Sequence, residues 1–591
     1  MRFVLILLLG AFATAAGAEA NRLDPTAVWQ AWSAEAELHI YPDALEPIGV
    51  HVKSNGLRVA DGSRLQFTDR GLGTLSFHAP FGNFEGFIGG RLLLEGTLEF
   101  SHAGHSVVVD DFELAADPED SLRLVLNDRE GLRLFTASHI HVYTDIERQQ
   151  LVMERMDVRM SPELTERLGL PRWSDRFVGE LALNASLHIP AGALTENRGD
   201  SCTDRPNWST DGHRLDVLLI AMNQLSDRGS LVENGVDMEI ITPSATLKNS
   251  PDLGTADVPW FRKFTGNFPP HNNDQHPYLI WNMYRIADGR LEQIGVSGVK
   301  HAFLTINVNC LINCGSGGVS GGNGHILWPG CEDVYGVGNN DSPGDLGPRH
   351  EINPRTGVFV SRGSFFDQNS DGVQDNSSSG IGENRLKVAR SDLQTANADY
   401  LFEAWYVIRD DSNIFNTMGY RPTTPSGAGT SWSYGLGTFQ QGPAVDEWVG
   451  PGGTPESGEM NVLFSAPQVG NFKVLARAVQ LPDERWRYSY VVMNYDVDHD
   501  IDSFAVEAAT SIDTPYFHDP DQDAANDWVL STSGELRFDA PVGNPLSWGT
   551  AYSFGFDSDQ PPVARSVRVS FGPTGPADVN LDVLGPDTGI L

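Results

Sequence analysis

The main pattern along this chain is an alternation of apolar and polar residues, which predicts β-strands. In the first third, "LRLVL" and "LRLF" lie on either side of the turn sequence "NDREG", and "GELALNASLHI" alternates in the same way. Successive side chains of a strand point to opposite faces, so this pattern buries one face of a sheet. We predict that residues 19–197 form an N-terminal domain, either a β-sandwich or a half-barrel.

One short helix is expected to interrupt these strands. Ser161 is a suitable N-cap, Pro162 suits the first helical position, and the helical run "ELTERL" follows. Gly169 and Pro171 then end the helix, because glycine and proline are typical of helix C-termini.

Residues 198–449 differ because glycine, asparagine and serine gather in long segments such as "CGSGGVSGGNG" and "GVGNNDSPGDLGPRH". Long loops in an ordered domain commonly carry function. The runs "RLDVLLIAM", "KHAFLTINV", "TGVFVS" and "YLFEAWYVI" are the predicted strands between these loops. We therefore predict a loop-rich central β domain.

The composition of residues 450–459, "GPGGTPESGE", predicts a linker. Seven strand-like runs follow within residues 460–591, from "MNVLFSA" to "RSVRVSFG", and short strands at regular intervals are typical of an immunoglobulin-like sandwich. The whole chain is thus predicted to be all-β and multidomain, with tandem β-sandwiches and a loop-rich, disulfide-bonded central domain.

The first residues, "MRFVLILLLGAFATAAGAEA", combine a basic start, an apolar stretch and small residues at a cleavage site. They predict a signal peptide over residues 1–18 and a secreted protein, periplasmic or extracellular. No later run approaches the ~20 apolar residues of a membrane helix, so we expect no membrane insertion. The net charge of −37 opposes binding to nucleic acid. The sequence does not indicate an oligomeric state.

The chain has four cysteines: Cys202, Cys310, Cys314 and Cys331. An even number in an exported protein favours two disulfides, in any of three connectivities. Metal binding by Cys310 and Cys314 is the alternative, but no second pair follows at zinc-finger spacing.

The central domain concentrates side chains capable of chemistry, many of them in "HNNDQHPYLIWNMYRI" at residues 271–286. Imidazole is a common ligand of zinc, copper and iron, so four histidines are candidate ligands of a transition metal: His271, His276, His301 and His350. Acid, base and cationic groups are also present for catalysis without a metal. The predicted catalytic residues are His276, Tyr284, Arg285, Lys300, His301 and Glu403. Neither set has a diagnostic spacing, and hydrogen bonding to irregular backbone is the structural alternative.

The segment "DQNSDGVQD" places oxygen ligands at calcium-loop positions 1, 3, 5 and 9, and Gly372 permits the sharp turn at position 6. The twelfth position is Ser378 rather than glutamate, so the helix–loop–helix version of the site is incomplete. We predict a structural calcium site formed by Asp367, Asn369, Asp371, the carbonyl of Val373, and Asp375.

Several segments resemble a family of large secreted bacterial all-β proteins. The similar segments are "NDQHPYLIWNMYRIADGRLEQIGVSGVKHAF", "LGPRHEINPRTG" and "ADYLFEAWYV", followed by a terminal sandwich with "WRYSYVVMNYDVDHDIDSF", "DWVLSTSG" and "NPLSWGTAYSFGFDSD". The resemblance covers roughly residues 200–560 and implies that the central and C-terminal domains occur together. It carries no activity and transfers no catalytic residues to this chain.

Three functions remain open at this point. The first is a secreted enzyme, for example a lyase, that acts on an extracellular polymer such as an acidic polysaccharide. "YLFEAWYV" is similar to a strand of alginate-lyase sandwiches, although those carry a basic residue where this chain has Glu403. The second is a non-catalytic, calcium-stabilised cell-surface or matrix protein that binds a glycan. The third is a copper- or iron-dependent oxidase that uses the central histidines.

Overall fold

The structure is a computed structural model that describes residues 27–45, 48–55, 58–59, 64–69, 73–79, 84, 86–145, 148–191, 206–251, 255–264, 268–310, 324–467, 469–507, 512–532 and 535–587. Strands in several separate sheets dominate these residues, and the helices are short. The prediction of an all-β, multidomain chain is therefore confirmed. The predicted signal peptide, residues 1–18, lies outside the described residues.

The first twelve strands form one sheet. Its elements are β1 (Val28–Ile40), α1 (Pro42–Leu45), β2 (His51–Asn55), β3 (Arg58–Val59), β4 (Arg64–Asp69), β5 (Thr74–His78), β6 (Gly86–His102), β7 (His105–Ala116), β8 (Leu124–Asp128), β9 (Arg133–Ser138), β10 (His141–Asp145), β11 (Gln150–Met160), α2 (Pro162–Arg167) and β12 (Phe177–His188).

This first sheet closes on itself because β12 pairs with both β1 and β11. Alternate side chains of its strands point inwards and form one hydrophobic core, which includes Trp29, Phe77 and Leu114. The alternation noted in the sequence is thus the period of a strand with one buried face.

The predicted helix is confirmed as α2. Ser161 Oγ accepts a hydrogen bond of 2.9 Å from the Leu164 amide, and Pro162 occupies the first turn. Gly169 follows with a φ of +73°, a left-handed conformation that glycine adopts without strain. A 3₁₀ turn over Pro171–Trp173 then leads to β12.

The central elements lie in smaller sheets and one eight-stranded sheet. They are β13 (Val217–Ala221), β14 (Leu225–Glu233), β15 (Val236–Pro243), β16 (Ala245–Asn249), β17 (Val258–Pro259), β18 (Tyr278–Ala287), β19 (Arg290–Val296), β20 (Val299–His301), β21 (Ile326–Leu327), β22 (Glu332–Tyr335), α3 (Val337–Asp341), β23 (Leu346–Gly347), β24 (Leu386–Ala389), α4 (Arg390–Leu393), β25 (Asp399–Val407), β26 (Met418–Ala428), β27 (Ser431–Leu436) and β28 (Gln440–Gln441). Short 3₁₀ turns lie at Ser209–Asp211, Pro343–Asp345, Arg349–Glu351 and Ala444–Glu447.

Two of the four predicted central strands are confirmed: "RLDVLLIAM" contains β13 and "YLFEAWYVI" contains β25. In "KHAFLTINV" the strand ends at His301, because the following backbone bonds the Gly324 carbonyl and the start of β22 at Glu332. The predicted strand "TGVFVS" is wrong. It makes only one isolated bridge, Asn353 to Val358, in a turn that the Asn353 side chain stabilises by accepting from the Thr356 amide.

The C-terminal elements form a six-stranded and a five-stranded sheet. They are β29 (Gly452–Thr454), β30 (Glu459–Ala466), β31 (Gly470–Gln480), β32 (Trp486–Asn494), β33 (Ile501–Val506), β34 (Ile512–His518), β35 (Val529–Ser531), β36 (Leu536–Asp539), β37 (Thr550–Ser558), β38 (Pro562–Phe571) and β39 (Val579–Pro586). All seven strand-like runs contain strands. Part of the expected linker, β29, pairs with β30.

The paired strands β18 and β25 are buried on both faces, which explains their nearly continuous apolar sequences. One face contributes Trp281 and Phe402 to the central core. The opposite face contributes Tyr284 and Trp405 to a second core, which the C-terminal strands complete with side chains such as Tyr495. The central and C-terminal sheets therefore pack against each other directly.

Cys310 and Cys331 form a disulfide between the loop after β20 and the start of β22. Cys202 and Cys314 lie outside the described residues. Among the helices that the structure describes, none is long and apolar enough to cross a membrane.

Candidate functional site

The structure brings two of the predicted histidines together at the start of the buried central strand. His276 lies just before β18, His301 ends β20, and the two strands pair so that Tyr278 lies opposite His301. The His276 Nε2 and His301 Nδ1 atoms are 3.0 Å apart. Both residues are buried, with 5 % and 0 % of their surface exposed. The side chains of Tyr278, Phe359 and Phe366 surround them.

The hydrogen bonds of this pair assign its protons. His276 Nδ1 lies 2.9 Å from the Phe261 carbonyl, which can only accept, so this nitrogen carries the proton. Its Nε2 is then an acceptor, and His301 Nδ1 donates to it. The remaining nitrogen, His301 Nε2, is a buried lone pair with no hydrogen-bond partner among the described residues.

Both imidazoles are held in the neutral form. Burial, followed by the positive charge of Lys263, lowers the pKa of His276 to about 3. Burial also lowers the pKa of His301 well below its usual range, and His276 and Lys263 contribute further. The pair can therefore accept a proton only at a high cost in free energy.

Lys300 belongs to an adjacent buried cluster around one carboxylate. Its Nζ is 3.1 Å from Asp345 Oδ2, and Lys263 Nζ bonds the other oxygen of Asp345 at 2.5 Å. Arg155, from strand β11 of the first sheet, also contacts Asp345. Burial, with the charges of Arg155 and Lys263, lowers the pKa of Lys300 well below its usual range, and the charges of Glu180 and Asp333 oppose that shift.

Tyr284 and Glu403 form a different buried cluster. Tyr284 lies six residues beyond Tyr278 on β18, roughly 20 Å away at about 3.3 Å per residue. Glu403 Oε2 accepts from the Tyr284 hydroxyl and from Asn282 Nδ2, each at 3.0 Å, and its Oε1 accepts from the Ala444 amide at 2.8 Å. Burial raises the pKa of Glu403 and raises that of Tyr284 well above its usual range.

Sequence reasoning did not single out Arg349, which joins this cluster to the C-terminal sheets. Its guanidinium donates to Asn282 Oδ1 at 2.9 Å, to the Ser297 carbonyl at 2.6 Å and to the Gly549 carbonyl at 2.8 Å. Burial lowers its pKa to about 9. Its only signal in the sequence is its place in "LGPRHE", beside the more conspicuous His350.

Arg285 points to the opposite face of β18 from Tyr284. It is partly buried and forms ion pairs with Glu292, at 2.8 Å from Nε, and with Asp392 at 2.9 Å. Tyr516 from the C-terminal sheets bonds the same Glu292. The predicted catalytic side chains are thus divided among four groups: the His276–His301 pair, Lys300 beside Asp345, the Tyr284–Glu403 cluster, and Arg285.

The other two predicted metal ligands have separate surroundings. His271 Nε2 lies 2.9 Å from Asp410 Oδ2, and His350 is exposed. Across the described residues, no group of three or more histidine, cysteine or acidic side chains is arranged to hold a metal ion. Of the four predicted histidine ligands, His301 is the one with a buried, unpartnered nitrogen among the described residues, and a typical catalytic metal has three protein ligands.

In the predicted calcium loop, acidic side chains bond the loop backbone. The carboxylate of Asp367 accepts from the amides of Gly363, Asp371 and Gly372 at 2.9–3.2 Å. Asp375 Oδ1 accepts from the Gln368 amide at 3.0 Å. These bonds lower the pKa of Asp367, against the opposing effect of burial. The loop therefore keeps its turn through its own hydrogen bonds.

Comparisons with known proteins add little to this geometry. No protein-family model and no curated protein matches the chain. A solved structure, the C-terminal domain of HtaA from Corynebacterium glutamicum, aligns with 27 % of this chain and 99 % of its own length, at 10 % sequence identity and a TM-score of 0.20. A similarity of that size carries no argument about this chain, so the site is interpreted from its own side chains.

Proposed function

We propose that the protein is a non-catalytic, secreted binding protein, stabilised by calcium, that holds a glycan or another extracellular polymer. The observation that supports this proposal is the burial of the predicted catalytic side chains in separate clusters that link structural elements. His276 bonds the Phe261 carbonyl, Lys300 bonds Asp345, and Glu403 accepts three hydrogen bonds.

Catalytic groups must reach the substrate, whereas these groups are enclosed by protein. A general base has to lie within ~3 Å of the proton that it removes. Lys300 and His301 have 1 % and 0 % of their surface exposed. Their hydrogen bonds instead fix the positions of the strands, a role for which buried polar networks are well suited.

One observation favours the predicted enzyme as a second candidate. Within the described residues His301 Nε2 is an unpartnered lone pair next to Lys300, and burial lowers the pKa of Lys300, which favours the neutral amine that a base requires. This candidate requires the contacts of Phe359 and Phe366 with His301 to open before a substrate can reach the ring.

The test combines binding and turnover measurements on the full chain. We expect co-sedimentation with at least one extracellular polysaccharide from a panel of neutral and acidic polymers, without release of oligosaccharide products. The variant His301→Gln should bind equally well and unfold at a lower temperature, while His350→Gln serves as an exposed control. Product release by the natural chain that is lost in His301→Gln at an unchanged unfolding temperature would show that the enzyme candidate is correct.

A further inference from the structure

A cleft lies between the first sheet and the central part of the chain. It has a volume of about 440 Å³ and is formed by the turn that follows α2, the end of β6 and the β26–β27 hairpin. This size falls within the ~300–1,000 Å³ of small-ligand sites. Its lining includes the side chains of Ile48, His102, Leu170, Arg172, Trp173 and Ser431.

Arg172 gives this cleft a positive charge that no neighbouring carboxylate neutralises. Its side chain is exposed, and within the described residues it has no acidic partner at ion-pair distance. Such an arginine is notable in a chain with 78 acidic and 41 basic residues. Because surface charges are screened over ~8 Å in physiological salt, this local charge, rather than the net charge, acts on a ligand in the cleft.

Trp173 holds the positive groups in position. The Arg172 guanidinium lies 5.2 Å from the centre of the indole ring, and the Arg176 guanidinium lies 4.8 Å from it. A guanidinium that stacks on an aromatic ring keeps its N–H edge available for an anion. Arg176 donates its Nε–H to the Ala44 carbonyl at 2.9 Å, which fixes it against the indole ring.

His102 supplies a second oriented polar group. Its Nδ1 donates to the Leu168 carbonyl at 3.0 Å, so the ring cannot rotate freely and Nε2 is the nitrogen left for a ligand. The apolar surfaces of Ile48 and Leu170 complete the walls. The cleft therefore combines a cation, a hydrogen-bonding ring and an apolar surface.

We propose that this cleft binds the carboxylate or sulfate group of an acidic sugar within an extracellular polysaccharide. Arg172 makes a charge-assisted bond to the anionic group, His102 bonds a neighbouring oxygen, and Ile48 and Leu170 contact the C–H face of the ring. Ser431 brings the β26–β27 hairpin into contact with the same ligand. This inference deepens the proposed function and depends on it.

The test measures the binding of the full chain to a uronate oligosaccharide, a sulfated oligosaccharide and a neutral glucan of equal length. We expect the acidic ligands to bind and the neutral glucan to bind at least tenfold more weakly. Arg172→Gln should weaken the binding of the acidic ligands about tenfold, which corresponds to ~1.4 kcal/mol. Ser431→Phe, which fills the cleft, should have a similar effect. Arg167→Gln is the matched control, because Arg167 is exposed on α2 and does not line the cleft.

The outcomes separate the two proposals. If the acidic ligands bind but Arg172→Gln and Ser431→Phe bind them like the natural chain, the cleft is not the site and the proposed binding function remains. If a neutral glycan binds as well as an acidic one, the assignment of ligand class is wrong. If no polysaccharide or oligosaccharide binds, both proposals fail. Melting curves of each variant confirm that a loss of binding is not a loss of fold.

Discussion

The Nε2 atom of His276 accepts a hydrogen bond from Nδ1 of His301 across 3.0 Å, and the carbonyl of Phe261 sets the direction of this bond. Each ring keeps a single proton position only while both rings are neutral. Protonation of either ring would place a charge among Tyr278, Phe359 and Phe366, far from water.

The first prediction concerns how the free energy of unfolding depends on pH. The pKa of His276 falls from about 6.5 in the unfolded chain to about 3 in the fold, and that of His301 is also lowered. The unfolded chain therefore binds more protons below pH 6.5, and stability is lost as the pH falls from there towards 3. For His276 the expected loss is about 1.4 kcal/mol per pH unit, and His301 adds to it in the same direction.

Urea unfolding at several pH values between about 7.5 and 4.5 measures this effect, with little change expected above about pH 6.5 and a loss of stability below it. The double variant His276→Gln/His301→Gln should show a weaker dependence than the natural chain, and this difference removes the contribution of other titrating groups. Equal slopes for the two proteins would contradict the assignment of neutral rings.

The second prediction concerns Glu403, whose two oxygens face only donors. Glu403→Gln introduces an amide N–H₂ that must face either the Ala444 amide or the Asn282 and Tyr284 side chains. Asn282 cannot turn over to accept it, because its Oδ1 already accepts from Arg349. An unsatisfied buried group costs about 1–3 kcal/mol, and we expect that loss in denaturant unfolding.

The exposed Glu484→Gln is the control, with an expected change below about 0.5 kcal/mol. A Glu403→Gln protein of unchanged stability would show that the carboxyl group is not a structural anchor.

The third prediction is that Arg349 couples the central and C-terminal sheets. Lysine cannot reproduce the fork of bonds to Ser297, Asn282 and Gly549, so Arg349→Lys should destabilise the chain by about 2–4 kcal/mol. Calorimetry should show the C-terminal sheets unfolding as a separate, earlier transition. The exposed Arg362→Lys should leave the transition as it is, and a single unchanged transition in Arg349→Lys would contradict the coupling.

The fourth prediction concerns calcium. If the loop from Asp367 to Asp375 binds calcium, ion concentrations ~100-fold above the dissociation constant should stabilise the chain by about 2.7 kcal/mol, and a chelator should reverse the effect. Asp371→Asn should weaken the response, while Asp399→Asn, an exposed acid outside the loop, should not. Melting temperatures that are insensitive to both calcium and chelator would remove the calcium prediction.

Local sequence patterns predicted the strands and α2 well because their signals are local. Ser161 and Pro162 define a helix start within two residues. The alternation in "GELALNASLHI" indicates a strand with one buried face. The same reasoning failed at "TGVFVS", which has the composition of a strand but no neighbouring strand to pair with. The strand that pairs with a segment comes from a distant part of the chain, so the residues of the segment itself do not show whether such a strand is present.

The candidate site was less predictable, for a similar reason. The proximity of His276 and His301 depends on the register of β18 with β20, and the sequence offered only the two histidines themselves. The separation of Tyr284 from that pair follows from its distance along β18, whereas the role of Arg349 depends on a C-terminal carbonyl 200 residues away. Counting reactive residue types could not distinguish one shared cleft from four separate groups.

The carboxylate of Asp345 forms ion pairs with Arg155 from the first sheet and with two lysines from the central part of the chain. A fragment that begins after residue 197 would lack that arginine and expose a surface that normally stays dry, including the α3 backbone that Asp157 binds. The first sheet thus completes a buried surface of its neighbour, and the central part of the chain reaches its full stability only when residues 27–191 are present.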